Sequence, residues 1–240
     1  MNTLVSITKA AADYKSFRKD FAEAVNNYEP IGNVPMGPSG GTSGDKGYNI
    51  QISNEVEPYR FIDLKNVNWA SDSIYYLSDL GIISQPKDKL FRPNDSITRE
   101  EFVKMLVLAF EIQLPTKLQE TFTDVHSEDW FSVYVQAAKE NGFLKGYEDG
   151  SFGVGKNITR EELATMTYRV AQGKKIFTSD SKEDFFADNE QIAEYAKEAV
   201  YVMKASAIIN GSGDNQFLPK NRATRAEAAK IIAGIVRQLK

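Results

Sequence analysis

The chain has 240 residues, of which 42% are hydrophobic and 26% are charged, enough apolar material for one large globular domain or two small ones. It contains no cysteine and one histidine, which excludes disulfides, iron–sulfur clusters, thiolate nucleophiles and any site that needs two imidazoles. With 29 basic and 33 acidic residues, its net charge of −4 argues against a nucleic-acid or anionic-membrane binder, because such partners require a large basic excess.

The N-terminal quarter differs in character from the rest. Apolar residues at steps of three and four between Ile7 and Tyr28 predict an amphipathic helix within residues 1–31, and its apolar face needs a docking surface. Residues 32–60 predict a Gly/Pro-rich linker followed by a short extended segment. The most apolar run, residues 102–110, is far shorter than the roughly 20 residues of a spanning helix. We expect no membrane span, and the chain is either cytosolic or a mature or excised piece of a longer protein.

From residue 61 onward the sequence repeats itself three times, and we divide it into copies 1, 2 and 3 at residues 61–115, 116–178 and 179–240. The copies share a Phe-x-Asp motif, which begins at Phe61, Phe122 and Phe186, and a Thr-Arg-x-Glu motif, which begins at Thr98, Thr159 and Thr224. The pattern between and after these motifs predicts helix, loop, helix in each copy. A single helical hairpin of about 50 residues buries too little surface to fold alone. We therefore predict a mainly α fold in which three hairpins share one core, as a pseudo-threefold arrangement or a short solenoid.

The Thr-Arg-x-Glu motif is typical of a helix start, because Thr and a Glu three residues later form a capping box. The arginine between them stands at the first helical position, where the helix dipole disfavours a cation. Two interpretations of Arg99, Arg160 and Arg225 remain open: they bind a carboxylate or phosphate ligand, or they form salt bridges between copies. The candidate salt-bridge partners are Asp63, Asp124 and Asp188.

Each copy also carries an aromatic residue at the start of its first helix, at Trp69, Trp130 or Tyr195. Such a residue either stacks on a sugar ring or packs in the core, and the residues alone favour the core. The loop of copy 2 holds Gly146, Asp149 and Gly150, which suit a tight turn and a close approach of backbone to a ligand. Gly211 is the matching loop glycine of copy 3. The alternative interpretation is that this loop is simply a turn and contacts no ligand.

Taken together, the motifs resemble the S-layer homology (SLH) domain of bacterial surface proteins, in three tandem copies over residues 61–238. The resemblance implies a three-pronged spindle around a central helical bundle, formed by one chain acting as a pseudo-trimer. It also implies an extracellular, cell-surface location and non-covalent binding of secondary cell wall polysaccharide in grooves between copies. The expected ligand is a pyruvylated N-acetylmannosamine terminus, contacted by the three arginines, by the three aromatics and by the loop residues.

The copies depart from the family pattern in ways that predict unequal sites. Copy 1 has Gln85 and Lys89 where loop glycines are expected, and copy 3 has Ala207 at the helix stop. Copy 2 keeps the full set, so we predict that Arg160 belongs to the strongest site, unless the loop serves the arginine of a neighbouring copy.

Two other functional classes are weighed against glycan binding. A glycan-cleaving enzyme needs paired carboxylates, and the candidates Glu100 and Glu161 are replaced by Ala226 in copy 3, so we expect no enzyme activity and no cofactor. The alternative is a self-assembly or partner-binding module of a surface layer without direct glycan recognition.

Overall fold

The computed structural model describes residues 60–172, 176–177 and 185–239. The predicted N-terminal helix within residues 1–31 and the linker that follows it lie outside the described residues. Six α-helices occur in the described part of the chain, with bounds α1 Asn68–Asp79, α2 Arg99–Ala109, α3 Ser132–Glu140, α4 Arg160–Ala171, α5 Glu194–Ala205 and α6 Arg225–Leu239. Over these same residues the only other regular structure is two short 3₁₀ turns and isolated β-bridges. The prediction of a mainly α fold is confirmed.

The first helix of each copy ends at the small residue that the sequence indicated. Gly81, Gly142 and Ala207 adopt left-handed backbone conformations, with φ of 72°, 77° and 54°. In copy 1 the amide of Ile82 then donates to the carbonyl of Leu77 at 2.9 Å, which satisfies a carbonyl at the helix end. Ala207 makes the same turn without the conformational freedom of glycine.

The second helix of each copy begins at the predicted capping box. In copy 1 the Thr98 hydroxyl accepts from the Glu101 amide at 3.4 Å, and Oε2 of Glu101 accepts from the Thr98 amide at 3.1 Å. The same reciprocal pair forms in copies 2 and 3, at Thr159 with Glu162 and at Thr224 with Glu227. Each box stabilises its helix by about 1 kcal/mol.

Helix pairing crosses the copies. The first helix of a copy packs against the second helix of the preceding copy: α3 against α2, α5 against α4, and α1 against α6. The expectation of a hairpin within each copy is wrong, because the connection between the two helices, such as residues 80–98, carries the second helix away to the next partner. The contact of α1 with α6 joins the first copy to the last. The three copies therefore close into a ring with one shared core.

The centre of this ring is formed by the second helices and the residues before them. Helix α2 contacts both α4 and α6. Just before these helices, the amide of Ile97 donates to Ala223 (3.0 Å), that of Ala223 to Ile158 (2.9 Å), and that of Ile158 to Ile97 (3.1 Å). This closed triangle of backbone hydrogen bonds joins the three copies in a pseudo-threefold arrangement. Of the two predicted arrangements, the ring is found and the solenoid is not.

Candidate functional site

The aspartate of each Phe-x-Asp motif holds the loop of its own copy. Asp124 accepts from the amides of Phe152 (2.6 Å), Gly153 (2.8 Å) and Val154 (2.9 Å). Burial alone would raise the pKa of Asp124, but the three amides outweigh it and lower the pKa below its ordinary value. Asp63 and Asp188 accept from the corresponding loop amides of copies 1 and 3. The prediction that these aspartates pair with the arginines is wrong, since their oxygens already serve the loops.

The arginine of each Thr-Arg-x-Glu motif instead contacts the next copy at two points. Nε of Arg99 donates to the Phe152 carbonyl at 3.0 Å, and its Nη1 donates to Oε1 of Glu162 at 2.9 Å. Arg160 contacts Phe217 and Glu227 in the same way, and Arg225 contacts Phe91 and Glu101. We call these three arginines and their partners the inter-repeat ring. Salt bridges between copies therefore exist, with the capping glutamates as partners.

The capping glutamate caps its own helix and also pairs with the arginine of the preceding copy. It can do both because a carboxylate has two oxygens. Oε2 of Glu162 accepts from its own cap residue, Thr159, while Oε1 accepts from Arg99 of the preceding copy. Sequence reasoning assigned the glutamate to the cap alone. The signal was present in the fixed two-residue spacing of Arg and Glu, which recurs in every copy.

The three arginines differ in how far their side chains are buried. The side chain of Arg99 is 3% exposed, that of Arg160 13% and that of Arg225 26%. Arg99 is covered by Tyr147, whose ring centroid lies 4.8 Å from the guanidinium carbon and whose hydroxyl donates to Glu162 at 3.1 Å. The other two arginines each open onto a groove.

Groove A combines residues of all three copies. Trp130 of copy 2 and Arg225 of copy 3 line it together with Glu101, Lys104 and Ile83 of copy 1, around a volume of about 250 Å³. Nζ of Lys104 lies 5.6 Å from the Trp130 ring centroid. Arg92 of copy 1 also lines the groove. The groove thus places a flat aromatic surface, three cations and an aliphatic wall around one space.

Groove B has the same plan with the copies permuted. Trp69 of copy 1 and Arg160 of copy 2 meet Lys230, Ile209 and Gly211 of copy 3, around a volume of about 320 Å³. Nζ of Lys230 lies 5.1 Å from the Trp69 ring centroid. In both grooves the aromatic residue comes from the copy after the one that supplies the lysine, and the arginine comes from the copy before it.

The third position of this cycle, which we call position C, brings together Tyr195, Arg99 and the loop of copy 2. The Tyr195 hydroxyl donates to Glu161 at 3.1 Å, and burial followed by the nearby Glu161 raises the pKa of Tyr195. Glu161 also accepts from Lys220 at 2.5 Å and from the Ala193 amide at 3.0 Å. This buried carboxylate is fully engaged in holding α5.

The three aromatics lie at the surface, contrary to the preference for the core. Trp69, Trp130 and Tyr195 are 50%, 48% and 53% exposed. Because each first helix packs on the preceding copy, the start of that helix, or the residues just before it, reach the edge of the preceding copy. The aromatic side chain there borders the groove. The sequence does not show this, since the neighbour across the groove belongs to another copy.

The loop glycines serve packing as well as turn geometry. A Cβ at Gly146 would lie 2.4 Å from Cε1 of Phe122, and one at Gly211 would lie 2.7 Å from Cε1 of Phe186. Asp149 accepts from the Ser151 amide at 2.9 Å and so closes the turn at Gly150, where φ is 79°. These residues shape the loop that carries Phe152 to Arg99.

Copy 1 makes the corresponding turn without a glycine. Lys89 adopts a φ of 56°, while Asp88 accepts from the Leu90 amide at 3.1 Å. The left-handed conformation costs a non-glycine residue about 1 kcal/mol. Asn215 takes the matching place in copy 3 with a φ of 53°, so copy 2 alone has a glycine at this turn.

The intact set of copy 2 does not form one site. Trp130 lies in groove A, Arg160 in groove B and Gly146 in the loop at position C. The loop of copy 2 stands next to Arg99, the arginine of the preceding copy.

A family model for the S-layer homology domain matches the chain three times, at residues 60–103, 121–164 and 185–229, which together are more than half of it. The chain belongs to the S-layer homology family. This membership places it among bacterial cell-surface proteins. None of the described helices has the length and apolar character needed to cross a membrane.

The chain matches a small part of several longer proteins. The chain is 31% identical over 237 residues to an amylopullulanase of Thermoanaerobacterium thermosulfurigenes, covering 97% of this chain and 12% of that protein. It is 28% identical over 175 residues to the S-layer protein sap of Bacillus anthracis, with 72% and 21% covered. A cellulosome-anchoring protein of Acetivibrio thermocellus is 30% identical over 113 residues, with 45% and 25% covered. The chain thus spans at most a quarter of these three relatives.

Proposed function

We propose that this SLH unit anchors a surface protein to the bacterial cell wall by binding secondary cell wall polysaccharide in its inter-repeat grooves. The ligand terminus would be a pyruvylated N-acetylmannosamine. Family membership supports an anchoring role, as do the relatives named as an S-layer protein and a cellulosome-anchoring protein. We also propose that the copies at 61–115, 116–178 and 179–240 act as a pseudo-trimer within one monomer.

The observation that carries the proposal is the convergence of an aromatic ring, an arginine and a lysine from three copies in each of grooves A and B. A ketal-linked pyruvate places a carboxylate beside a sugar ring. The exposed ring of Trp69 or Trp130 offers a flat apolar surface for the sugar, and cations beside it offer charge-assisted hydrogen bonds to the carboxylate. Both halves of the ligand therefore find a partner in one groove.

The arginines retain a donor for this purpose. Nε and Nη1 of Arg160 and Arg225 are occupied by the inter-repeat ring, whereas Nη2 makes no hydrogen bond to the residues that the structure describes. In groove B, Gly211 leaves the backbone accessible beside Arg160. We assign ligand contacts to Trp69, Trp130, Arg160, Arg225 and Gly211.

The test is co-sedimentation of the 240-residue chain with purified cell-wall sacculi, before and after hydrofluoric acid removes the polysaccharide. We expect binding to untreated sacculi, loss of binding after extraction, and loss in a Trp69→Ala/Trp130→Ala variant. Ile62→Ala is the matched control, because Ile62 is an exposed apolar residue that lines neither groove. Equal sedimentation with extracted sacculi would contradict the proposal.

A further inference from the structure

Grooves A and B hold less uncompensated positive charge than the number of cations lining them suggests. Each arginine of the inter-repeat ring is paired with a capping glutamate, so the two charges largely cancel. The lysine of each groove has no such partner: neither Lys104 nor Lys230 forms an ion pair with the described residues. Arg92, which also lines groove A, is likewise paired, with Asp88 at 2.7 Å. The uncompensated charge beside each tryptophan is therefore the ammonium group.

Lys104 also occupies a site that favours a bound anion. Its Nζ has a long contact, 3.5 Å, with the Ser84 hydroxyl and lies near the faces of Trp130 and Tyr134. Burial lowers the pKa of Lys104, and Glu101 opposes this in part. An ammonium that has lost water without gaining a carboxylate gains more from an incoming anion than a fully hydrated one does.

At position C the residue in line with these lysines is Thr165. Its hydroxyl donates to the Glu161 carbonyl at 2.7 Å and its side chain is buried, so it offers no charge to a ligand. The nearest cation beyond it on α4 is Arg169, one helical turn further from the start of the helix. Position C thus lacks an ammonium at the helix position that grooves A and B share. Lys220, which also reaches position C, is already paired with Glu161 at 2.5 Å.

Position C is also filled by the protein. Tyr147 lies over Arg99 and donates to Glu162, whereas the matching residues of copies 1 and 3 are Pro86 and Ser212, which are smaller. The ammonium group of Lys156 also lies over the Tyr147 ring, with Nζ 4.3 Å from the ring centroid. The tyrosine takes the place beside the arginine that stays open in grooves A and B.

We propose that only grooves A and B bind the anionic glycan terminus, that Lys104 and Lys230 supply the charge that selects it, and that Tyr147 closes position C. This inference rests on the proposed function, because it assumes that the ligand is an anionic sugar. It replaces the expectation of three ligand-binding arginines by two sites, each built on a ring arginine and a free lysine.

The test is calorimetric titration of the full chain with the methyl glycoside of ketal-pyruvylated N-acetylmannosamine. We expect two sites per chain. Lys104→Met and Lys230→Met should each weaken one site roughly 10- to 100-fold, the loss expected for a charge-assisted hydrogen bond. Thr165→Val is the matched control at position C and should retain both sites at unchanged affinity. A Tyr147→Ser/Thr165→Lys variant should gain a third site.

The outcomes separate the two proposals. Three sites in the unmodified chain, or unchanged affinity in both lysine variants, would overturn this inference while leaving glycan binding in place. No binding of the pyruvylated glycoside by the unmodified chain would overturn the proposed function itself. Circular dichroism melting of each variant establishes that a lost site reflects a lost contact in a folded protein.

Discussion

The inter-repeat ring makes the same contacts in every copy, whereas the residues around it differ. The distance from arginine Nε to the phenylalanine carbonyl is 3.0, 2.7 and 2.9 Å for Arg99, Arg160 and Arg225. The surrounding residues vary at two places: Lys104, Thr165 and Lys230 on the second helices, and Pro86, Tyr147 and Ser212 on the loops. We call these six residues the rim. The comparison shows that the contacts of the inter-repeat ring follow from closure of the fold, whereas the differences between the sites arise at the rim.

The ring itself is uniform in geometry but not in environment. The Arg99 pair is buried beneath Tyr147, while the Arg225 pair is open to groove A. A buried ion pair is costly to break from one side, because the remaining charge loses its partner in a poorly solvated place, whereas an exposed partner is hydrated. The rim residues therefore change how much the same contact contributes to the free energy of unfolding.

The largest expected effect comes from removing one copy, which breaks the closed arrangement of the three. Removing copy 3, residues 179–240, takes away α6, on which α1 packs, and the partner of Arg160. We expect the remaining two copies to lose cooperative unfolding, measured by thermal circular dichroism and limited proteolysis. A two-copy fragment that melts as sharply as the parent, near the same temperature, would show that the copies do not depend on closure.

The next largest effect should distinguish the buried pair from the exposed one. Arg99→Met should lower the free energy of unfolding by about 3 kcal/mol, because it leaves the largely buried Glu162 carboxylate without its ion-pair partner. Arg225→Met should cost about 1 kcal/mol, since its pair is partly solvated. Urea denaturation measures both, and each variant serves as the control of the other. Equal losses would mean that burial by Tyr147 does not alter the pair.

The loop anchor predicts a pH dependence. The pKa of Asp124 is lowered in the folded state, so its stabilisation is present above the ordinary value of 3.8 and is lost as the pH falls through the folded value. Asp124→Asn should cost about 1 to 3 kcal/mol near neutral pH, and the difference from the parent should shrink in acid.

Urea denaturation at a series of pH values measures this difference. Asp72→Asn is the control, because Asp72 is exposed and its carboxylate has no hydrogen bond among the described residues. A constant difference between parent and Asp124→Asn from neutral pH into acid would contradict the assignment.

The smallest effect concerns the one helix stop that departs from glycine. Ala207 adopts a φ of 54°, where Gly81 and Gly142 stand in the other copies. Ala207→Gly should raise the free energy of unfolding by up to about 1 kcal/mol, because glycine adopts this conformation without steric cost. Ala205→Gly, two residues earlier at the end of α5, is the control and should be destabilising by about 0.5 to 1 kcal/mol. Destabilisation of both variants would show that the Ala207 methyl group makes a useful contact.

The sequence alone determined the local features of this protein. The capping box at Thr98 and Glu101, the helix stop at Gly142 and the loop turn at Gly150 depend on sterics and hydrogen bonds within a few residues, which a short sequence window contains. The threefold recurrence of the motifs likewise indicated one shared core and the SLH family.

Tertiary structure decided which copies meet. The packing of α1 on α6, the pairing of Arg99 with Glu162 and the exposure of Trp69 all depend on residues more than 60 positions apart or on opposite ends of the repeat region. Equivalent copies offer equivalent local signals, so the sequence does not reveal whether a helix packs within its own copy or with the preceding one. Ring closure settles that choice, because only pairing between successive copies buries all three first helices and gives every ring arginine a glutamate.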